Sequence, residues 1–369
     1  MRILYVGNVA NVGYMVAKEM RKIGVDVDLL MHKNPVIEQD PNKQDPELKN
    51  SYPTWIHFYD KTLPTWRLDV IKKMRDKNYK LIYAHYGLVI FAYLSRRPFI
   101  AQPLGNDLRT VAFEKSIRGI LMRLAYKRAK AILFTGPEQY QLLNKLKLKN
   151  IIFLPIFLDF STSKHGDVPK GEFSNNFVIF HPTNLWSEKG NSILVEGFAK
   201  FVKENPSAIL LIVDRGPDSA KIHQLVTSLG IQSNIRFIKG PLTAEEMRKY
   251  YHICDVVADQ FITPELGGIG REALLSEKPL VTHYDEKGYR DLYGQPPPAL
   301  NASTPTEVQK QLEYVKDEKI RKEIGKKGKE WLVKYHSPEI ISKKIKCISE
   351  AILNSEKINQ INDKLLKIT

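Results

Sequence analysis

The segment AILFTGPEQYQLLNKLKLKNIIFLP, residues 131–155, contains one complete strand–helix–strand unit. Its two ends, 131–136 and 150–155, each carry a short apolar run, which is typical of strands buried on both faces of a sheet. The segment between them, which starts with PEQYQLLNKL, is predicted to be a helix. A strand, a helix and a second strand in this order predict two parallel strands and a helix that covers the sheet.

The same alternation extends upstream to the first residues of the chain. Short apolar runs mark the strands, and longer mixed segments mark the helices. Together they predict an α/β domain with a doubly wound parallel sheet. The further strands are predicted over 2–8, 25–31, 80–85 and 98–103, and the further helices over 13–24, 66–76, from Leu88 onward and over 116–130.

The polar segment DFSTSKHGDVPKGEFSNN, residues 159–176, interrupts the alternation and is interpreted as an interdomain linker. The alternation then restarts, which predicts a second Rossmann-like domain. We expect two doubly wound parallel-sheet domains facing a central cleft, where the carboxyl ends of strands meet. The strands of the second domain are predicted over 177–182, 208–214, 235–240, 255–259 and 279–284. The domains are set at 1–162 and 163–336, and a lysine-rich helical tail at 337–369 is expected to cross back to the first domain.

Length and composition restrict the class of protein. The chain has 369 residues, of which 43% are hydrophobic, and this suits two domains of ordinary size. Its two cysteines, Cys254 and Cys347, form neither a disulfide framework nor a CxxC metal pattern. The start MRILYVGN is too short an apolar run for a signal peptide, and no run is long enough to span a membrane. We therefore expect a cytoplasmic protein.

The formal net charge of +15 at pH 7 is large. It favours an anionic partner such as nucleic acid, a phosphorylated ligand or an acidic membrane surface. The alternative is that the basic residues only keep the chain soluble. Because no basic–aromatic recognition module is present, nucleic acid is not the expected partner.

The segment TPELGGIGREALLSEKPLV, residues 263–281, carries the strongest indication of a ligand site. Gly267 and Gly268 lie between a predicted strand and a predicted helix, where glycine allows a positive φ and a close approach of the backbone. N–H groups at the start of that helix, near Ile269, attract an anion such as phosphate. Glu272, about one turn into the helix, is placed to accept hydrogen bonds from a ribose diol. The alternative is a plain turn followed by a surface helix.

Lys189 and the first glycine loop are further candidates. Lys189 stands beside Gly190 in HPTNLWSEKGNSIL, between a strand and a helix at the same edge of the second sheet. An ammonium group there reaches a phosphate as a point charge, whereas the alternative is a solvated surface lysine. Gly7 and Gly13 follow the first strand in GNVANVGYM, which lacks the GxGxxG spacing. They either bring the backbone close to a ligand or form a tight turn.

Polar residues after strands of the first domain are weaker candidates. His85 ends a predicted strand in AHYG, and Asp107 follows one in PLGNDLR, with Arg109 near it. Each is placed for a base or polar contact, and a structural role is the alternative. Asp26 and Asp28 match a D-x-D metal pattern, but they lie within a strand, so we expect no metal there.

Taken in order, these segments resemble the retaining GT-B glycosyltransferases of family 4, also called glycosyltransferase group 1. EALLSEKPLV with its upstream glycines resembles the family block G…EAMACGKPVV, and EKG before a helix resembles the block RLxxEKG. LLIVDRGPD, FIKGPLTAEEMRKYYHICDVV and AKAILFTGPEQYQLL are similar to three more blocks. The resemblance covers nearly the whole chain.

The resemblance implies an acceptor-side first domain and a second domain that binds a nucleotide diphosphate-sugar. It implies that Glu272, as the last carboxylate of the family's E-x7-E motif, holds the ribose. It also implies that Lys189 neutralises the diphosphate. The glycines that match the family's donor-facing backbone are Gly267, Gly268, Gly7 and Gly13.

One departure from the family pattern affects the donor sugar. Eight residues before Glu272 stands Pro264, where the family has a carboxylate. Glu265 is one residue late, so either the loop is shifted and Glu265 contacts the sugar, or that contact is lost.

Two more departures affect the phosphates and the first domain. Asn184 stands five residues before Lys189, where the family usually has an arginine, and Arg271 or Arg215 is the candidate replacement. Leu104 replaces the histidine of the family's HGSD block, whereas Asp107 matches its last residue. These departures bear on activity and not on the fold.

The activity implied by the resemblance is transfer of a sugar to a lipid-linked, glycan or other acceptor with retention of configuration, without a metal or other cofactor. Negative charge builds on the leaving diphosphate, where fixed positive groups stabilise it. The alternatives are a GT-B sugar-nucleotide epimerase, a non-catalytic nucleotide-sugar binding protein and a nicotinamide dehydrogenase, whose GxGxxG fingerprint is missing. The candidate catalytic residues are Lys189, Glu265, Asp107 and His85, and the donor-binding candidates are Glu272, Gly267, Gly268, Ile269, Asn184, Arg271, Gly7 and Gly13.

The segment from Arg109 to Lys130 holds seven basic residues and one acid, Glu114. Four apolar residues share its predicted helix: Ile117, Ile120, Leu121 and Leu124. A basic amphipathic helix of this kind rests on an anionic membrane, which would place the protein at the inner face of a membrane near a lipid-linked acceptor. The alternative is that the apolar residues face the core and the basic face is solvated.

Overall fold

The computed structural model describes residues 1–48, 51–158, 160 and 170–368. The chain divides into two compact units, the first formed by Met1–Asp159 with His336–Thr369 and the second by Phe160–Tyr335. Most of the predicted linker at 159–176, and the predicted domain boundary between 162 and 163, lie outside the described residues.

The first unit contains a parallel sheet, in which seven strands are described, in the order β3-β2-β1-β4-β5-β6-β7. The chain moves outward from β1 to β3 and then continues with β4 on the other side of β1, so the sheet is doubly wound, as predicted. The strands are β1 Arg2–Val6, β2 Asp26–His32, β3 Ile56–Tyr59, β4 Leu81–His85, β5 Phe99–Gln102, β6 Ala131–Phe134 and β7 Ile151–Phe153.

The sequence patterns missed β3. This strand lies at the edge of the sheet and pairs only with β2 among the described residues. An edge strand does not need a continuous apolar run, and in β3 His57 is half-buried and Phe58 is exposed. The helices of this part of the chain are α1 Val12–Lys22, α2 Pro41–Gln44, α3 Trp66–Met74, α4 Val89–Ser95, α5 Asn106–Arg109, α6 Ile117–Arg128 and α7 Pro137–Lys145.

The second unit repeats the doubly wound plan. Its described strands are parallel and follow the order β10-β9-β8-β11-β12-β13. The strand missed by the sequence patterns, β13, has two residues at the end of the sheet, too few for a recognisable apolar run. The strands are β8 Val178–His181, β9 Ile209–Asp214, β10 Ile235–Lys239, β11 Val256–Ala258, β12 Leu280–Thr282 and β13 Leu300–Asn301.

The helices of the second unit cover this sheet, and their apolar side chains form its core. Phe198 and Phe201 from α8 pack with Leu210 of β9 and Val256 of β11, and all four side chains are buried. The helices are α8 Asn191–Val202, α9 Ser219–Ser228, α10 Ala244–Ile253, α11 Gly268–Leu275, α12 Glu286–Tyr293, α13 Pro305–Tyr314 and α14 Glu318–His336.

The C-terminal residues form two helices, α15 Pro338–Leu353 and α16 Ile358–Leu365, which belong to the first unit. Helix α15 packs against α1, and Ile345 and Ile348 are buried in the same core as the strands β1 and β2. The imidazole Nδ1 of His336 is 2.8 Å from the carbonyl oxygen of Ile156, at the point where the chain re-enters this unit. The tail is therefore part of the core of the first unit.

We predict that Ile348→Ala lowers the free energy of unfolding by roughly 2–5 kcal/mol, because it removes a fully buried side chain and leaves a cavity. Leu366→Ala is the matched control, since Leu366 is in the same tail and is 82% exposed; it is expected to change the stability by less than about 0.5 kcal/mol. Urea unfolding followed by circular dichroism measures both, and equal effects would show that the tail does not stabilise the first unit.

Candidate functional site

The candidate site lies where the strand order of the second sheet reverses. Strands β8 and β11 are neighbours there, with Phe180 paired with Val257, although more than seventy residues separate them. In open α/β sheets, ligands bind at the carboxyl ends of strands at such a switch point. The residues that follow the two strands are Thr183 and Asn184 after β8 and Asp259 and Gln260 after β11.

Asp259 joins the two strand ends to the start of α11. Its Oδ1 accepts a hydrogen bond of 2.7 Å from the hydroxyl of Thr183, and its Oδ2 accepts one of 3.2 Å from the backbone N–H of Gly270. The carboxylate is buried. A negative charge at a helix N-terminus is favourable, so Asp259 fixes the position of α11 against the sheet.

Gly267 and Gly268, at the start of α11, lie in different surroundings, and glycine suits each position for a different reason. The expectation of a positive φ is wrong for both, since Gly267 has a φ of −71° and Gly268 is not in the left-handed region. A Cβ atom on Gly267 would lie 2.5 Å from Oδ2 of Asp259, so only glycine fits there. A Cβ atom on Gly268 would meet nothing within 4 Å, which leaves the backbone there, next to Ile269, open to a ligand.

Lys189 is held beside this loop by Gln260. The Nζ of Lys189 donates a hydrogen bond of 2.5 Å to Oε1 of Gln260, whose Nε2 donates to the carbonyl oxygens of Glu265 at 2.6 Å and Thr263 at 3.3 Å. Gln260 is buried and Lys189 is half-buried. Gly190, with a φ of 69°, ends the turn that carries the lysine. One amide therefore connects the ammonium group to the loop before α11.

Glu272 lies on α11 and is half-buried. Its Oε2 accepts a hydrogen bond of 2.9 Å from the hydroxyl of Tyr251 in α10. Burial, with a smaller contribution from the charge of Asp259, raises the pKa of Glu272 to about 7. Near neutral pH this carboxyl group therefore exchanges between a neutral and a charged form, both of which can hydrogen-bond to hydroxyl groups.

Glu265 lies in a contact network that the sequence did not predict. Its Oε1 accepts a hydrogen bond of 2.6 Å from the hydroxyl of Tyr289 in α12 and lies 4.0 Å from Nη2 of Arg271. The same tyrosine oxygen accepts a hydrogen bond from the N–H of Leu266. Arg271 is buried. Its guanidinium group faces Glu265 and forms an ion pair with it. Arg271 is also the candidate replacement for the arginine that the family has at position 184.

Asn184 follows β8 and is half-buried. Its carbonyl oxygen accepts a hydrogen bond of 2.9 Å from the N–H of Trp186, and in the described part of the chain its side-chain amide has no hydrogen-bond partner. The amide at this position is available to a ligand, but it supplies no positive charge.

In the first unit, the glycine loop after β1 is tightly packed. Gly7 has a φ of 108°, and a Cβ atom on Gly13 would lie 2.1 Å from the carbonyl oxygen of Gly7. The N–H of Tyr14 donates to Oδ1 of Asn8, which closes the loop. The two glycines are needed for this close approach of the backbone to itself.

The side chains of His85 and Asp107 are fully buried, so the expectation that they face an open edge needs correction. His85 Nε2 makes a short hydrogen bond with the hydroxyl of Tyr5, and burial lowers the pKa of the imidazole to about 3, which keeps it neutral. Asp107 accepts hydrogen bonds from the N–H of Gly105 at 2.9 Å and the hydroxyl of Tyr126 at 2.8 Å. Burial raises the pKa of Asp107.

Asp28 of the D-x-D pattern is likewise occupied by protein groups, since it accepts hydrogen bonds from Arg2 at 2.8 Å and Tyr79 at 2.7 Å. Within the described ranges, no group of three or more His, Cys, Asp or Glu side chains is arranged to hold a metal ion. No helix among the same residues is long and apolar enough to cross a membrane.

Sequence reasoning missed five residues that hold the site: Asp259, Gln260, Tyr251, Thr183 and Tyr289. A signal for the first two was present, because DVVADQ places two polar residues directly after a buried strand. Tyr251 lies within α10 and carries no local signal of its contact with Glu272.

Comparisons with known proteins bear on this site and fold. Residues 167–331 match the family described as glycosyl transferases group 1. The uncharacterized glycosyltransferase YqgM of Bacillus subtilis is 22% identical over 300 residues, which cover 77% of this chain and 81% of that protein. N-acetyl-alpha-D-glucosaminyl L-malate synthase of Bacillus anthracis is 20% identical over 351 residues, which cover 85% of this chain and 88% of the synthase.

Among solved structures, HepE of Anabaena in complex with UDP and glucose has a TM-score of 0.76 and 17% identity, and the match covers 95% of this chain and 100% of HepE. The two doubly wound units therefore form a GT-B fold. The match to the glycosyl transferases group 1 model lies within the second unit, and it confirms the predicted resemblance to that group over residues 167–331.

We predict that Gly267→Ala destabilises the protein by roughly 1–3 kcal/mol, because the new methyl group displaces the Asp259 carboxylate from the start of α11. Gly268→Ala is the matched control, since its methyl group meets no atom within 4 Å and its stability should change little. Thermal unfolding of both variants checks the prediction. If the two variants lose equal stability, the contact between Gly267 and Asp259 is not what holds the helix.

We also predict a pH-dependent contribution of Glu272 to stability. Since the folded-state pKa is raised from 4.5 to about 7, folding favours the protonated form, and the contribution of Glu272 to stability falls as the pH rises through this interval. Glu272→Gln mimics the neutral acid and removes this fall. The unfolding temperature of the variant relative to the wild type should therefore be higher at pH 8 than at pH 4.5. Parallel pH profiles of the two proteins would contradict the raised pKa.

Proposed function

We propose that this protein is a retaining, metal-independent glycosyltransferase that moves a sugar from a nucleotide diphosphate-sugar to a lipid-linked, glycan or other acceptor. The observation that carries the proposal is the arrangement at the carboxyl edge of the second sheet. There, a half-buried lysine and the open N-terminus of α11 are joined through Gln260 and Asp259.

In the proposed site, the diphosphate lies between Lys189 and the backbone at Gly268 and Ile269. The ammonium group and the N–H groups of the helix start are fixed before the donor binds, so they stabilise the charge that develops on the leaving diphosphate. Asn184 contributes its free amide. Because position 184 carries no positive charge, Lys189 and the helix start stabilise the diphosphate without it, and Arg271 contributes through its pair with Glu265.

The nucleoside and the sugar occupy the two ends of this site in the proposal. Glu272 accepts hydrogen bonds from the ribose hydroxyl groups. Glu265 contacts the donor sugar in place of the carboxylate that the family has at the position of Pro264. Support for the shifted loop comes from the bonds that hold Glu265, since Tyr289 and Gln260 fix its side chain and its carbonyl group at the mouth of the site.

The first unit is proposed to contribute the acceptor side. Gly7 and Gly13 shape the loop after β1, and the buried His85 and Asp107 act as positioning residues that hold the ends of β4 and α5. This is a smaller part than the catalytic role expected from the sequence, and it follows from their full burial. A cytoplasmic location, with attachment to the inner face of a membrane, belongs to the same proposal.

Two alternative functions predict different outcomes when a nucleotide-sugar is added. A GT-B epimerase would release a free epimer from a nucleotide-sugar without any acceptor. A non-catalytic binding protein would be stabilised by a nucleotide-sugar but would neither transfer nor hydrolyse it.

We predict that one nucleoside diphosphate, tested with UDP first, raises the unfolding temperature, and that the corresponding nucleotide-sugar is turned over in the presence of an acceptor. Lys189→Ala is expected to lower turnover by about 10²–10³-fold, the effect of removing one fixed group that stabilises the leaving charge. The unfolding temperature without ligand should fall by at most a few degrees, because Lys189 is half-buried and the substitution removes one hydrogen bond to Gln260.

Lys203→Ala is the matched control, since Lys203 is an exposed lysine of the same unit, just after α8, and its turnover should equal that of the wild type. Near-normal turnover in Lys189→Ala would exclude the proposed role of the lysine. Stabilisation by a nucleotide-sugar with no transfer, hydrolysis or epimerisation would exclude the enzyme.

A further inference from the structure

Helix α6 has two apolar faces, and only one of them is in the core. Met122, Ala125 and Tyr126 are buried against the first unit. On the opposite side Ile117, Ile120 and Leu124 are open to solvent, whereas Leu121 is half-buried, so the alternative that the apolar residues face the core is wrong for three of the four. The α6 stripe, as we call this surface, consists of Ile117 (78% exposed), Ile120 (46%) and Leu124 (39%) on the helix and of Phe113 (41%) in the turn that precedes it.

Basic side chains surround the α6 stripe. Five of them are exposed, and within the described chain none forms an ion pair. The other two basic residues of this segment are used internally: Arg109 pairs with Glu138, and Arg123 donates to the carbonyl oxygens of Ala112 and Glu114. The five unpaired cations are Lys115, Arg118, Lys127, Arg128 and Lys130.

Helix α14 provides an internal comparison, because it is also rich in lysine. There several lysines lie next to carboxylates: Lys322 is 2.6 Å from Glu318, and Lys327 is 2.6 Å from Glu323. Around the α6 stripe, the cations are left without such partners in the described structure, which favours an anionic partner outside the chain.

The α6 stripe begins near the carboxyl edge of the first sheet. The guanidinium group of Arg118, in the first turn of α6, lies 3.9 Å from the position that a Cβ atom on Gly87 would take. Gly87 lies two residues after the end of β4, one of the strands at the switch point of this sheet. The stripe therefore adjoins the edge where an open α/β sheet receives its ligand.

We propose that the α6 stripe docks the protein on an anionic lipid bilayer, with its apolar side chains in the interfacial region and its cations among the headgroups. This docking proposal rests on the proposed transferase function and deepens it, because it selects a lipid-linked compound as the class of acceptor. Charge complementarity alone suits any polyanion, but four exposed apolar side chains in the middle of a basic surface gain nothing from a soluble one. The hydrocarbon at a membrane interface buries them.

The test uses the full chain and no donor or acceptor. Co-sedimentation compares vesicles of phosphatidylcholine with vesicles that also contain phosphatidylglycerol. The wild type should bind the anionic vesicles, and added salt should weaken this binding. Two variants, Ile117→Ser/Ile120→Ser/Leu124→Ser and Arg118→Gln/Lys127→Gln/Arg128→Gln, should each bind about tenfold or more weakly.

The matched control is Lys322→Gln/Lys326→Gln/Lys327→Gln on α14, which lowers the net charge by the same three units as the arginine and lysine variant. It should bind vesicles as the wild type does. Circular dichroism and the thermal shift with UDP, measured on every variant, separate loss of docking from loss of fold or of the donor site.

Three results would overturn the proposal: no binding of the wild type to anionic vesicles, equal binding to neutral vesicles, or full binding by the serine variant. The last result would identify a purely electrostatic surface for soluble polyanions. Because none of these measurements requires sugar transfer, a failure of docking is distinguishable from a failure of the transferase activity.

Discussion

The second unit depends on one buried carboxylate, that of Asp259. It accepts hydrogen bonds from Thr183 after β8 and from the start of α11, and it excludes any side chain at Gly267. A buried charge is tolerated only where hydrogen bonds replace its hydration. Here those bonds join a strand end, a loop and a helix that are far apart in sequence. The open backbone at Gly268 and the position of Glu272 both follow from the place of α11.

Gln260, the next residue, extends this arrangement to the ligand-facing groups. Its amide accepts from Lys189 and donates to the loop that carries Glu265, so the ammonium group and the loop have a common support. A buried amide with both ends bonded holds its partners in one geometry. The proposed site is thus preorganised by two consecutive polar residues, neither of which is proposed to contact the donor.

Much of the fold was predictable because buried parallel strands leave an apolar run in the sequence, as at residues 131–134 and 209–214. The exceptions, β3 and β13, lie at sheet edges, where burial on both faces is not required. Lys189 and the glycine loop were predicted from their place between a strand and a helix. What a local pattern does not contain is the tertiary partner. The φ of Gly267, the burial of His85 and the contact of Tyr251 with Glu272 all depend on atoms that are distant in sequence.

The return of the C-terminal helices to the first unit has a consequence for synthesis of the protein. The second unit, Phe160–Tyr335, is continuous in sequence, whereas the first unit is completed only by His336–Thr369. Ile341, Ile345 and Ile348 are therefore among the last core residues to leave the ribosome. Domains fold as units during translation, so the second unit has its whole sequence before the first does. The part of the first unit that is made first then keeps an apolar surface uncovered until residues that follow the second unit have been made.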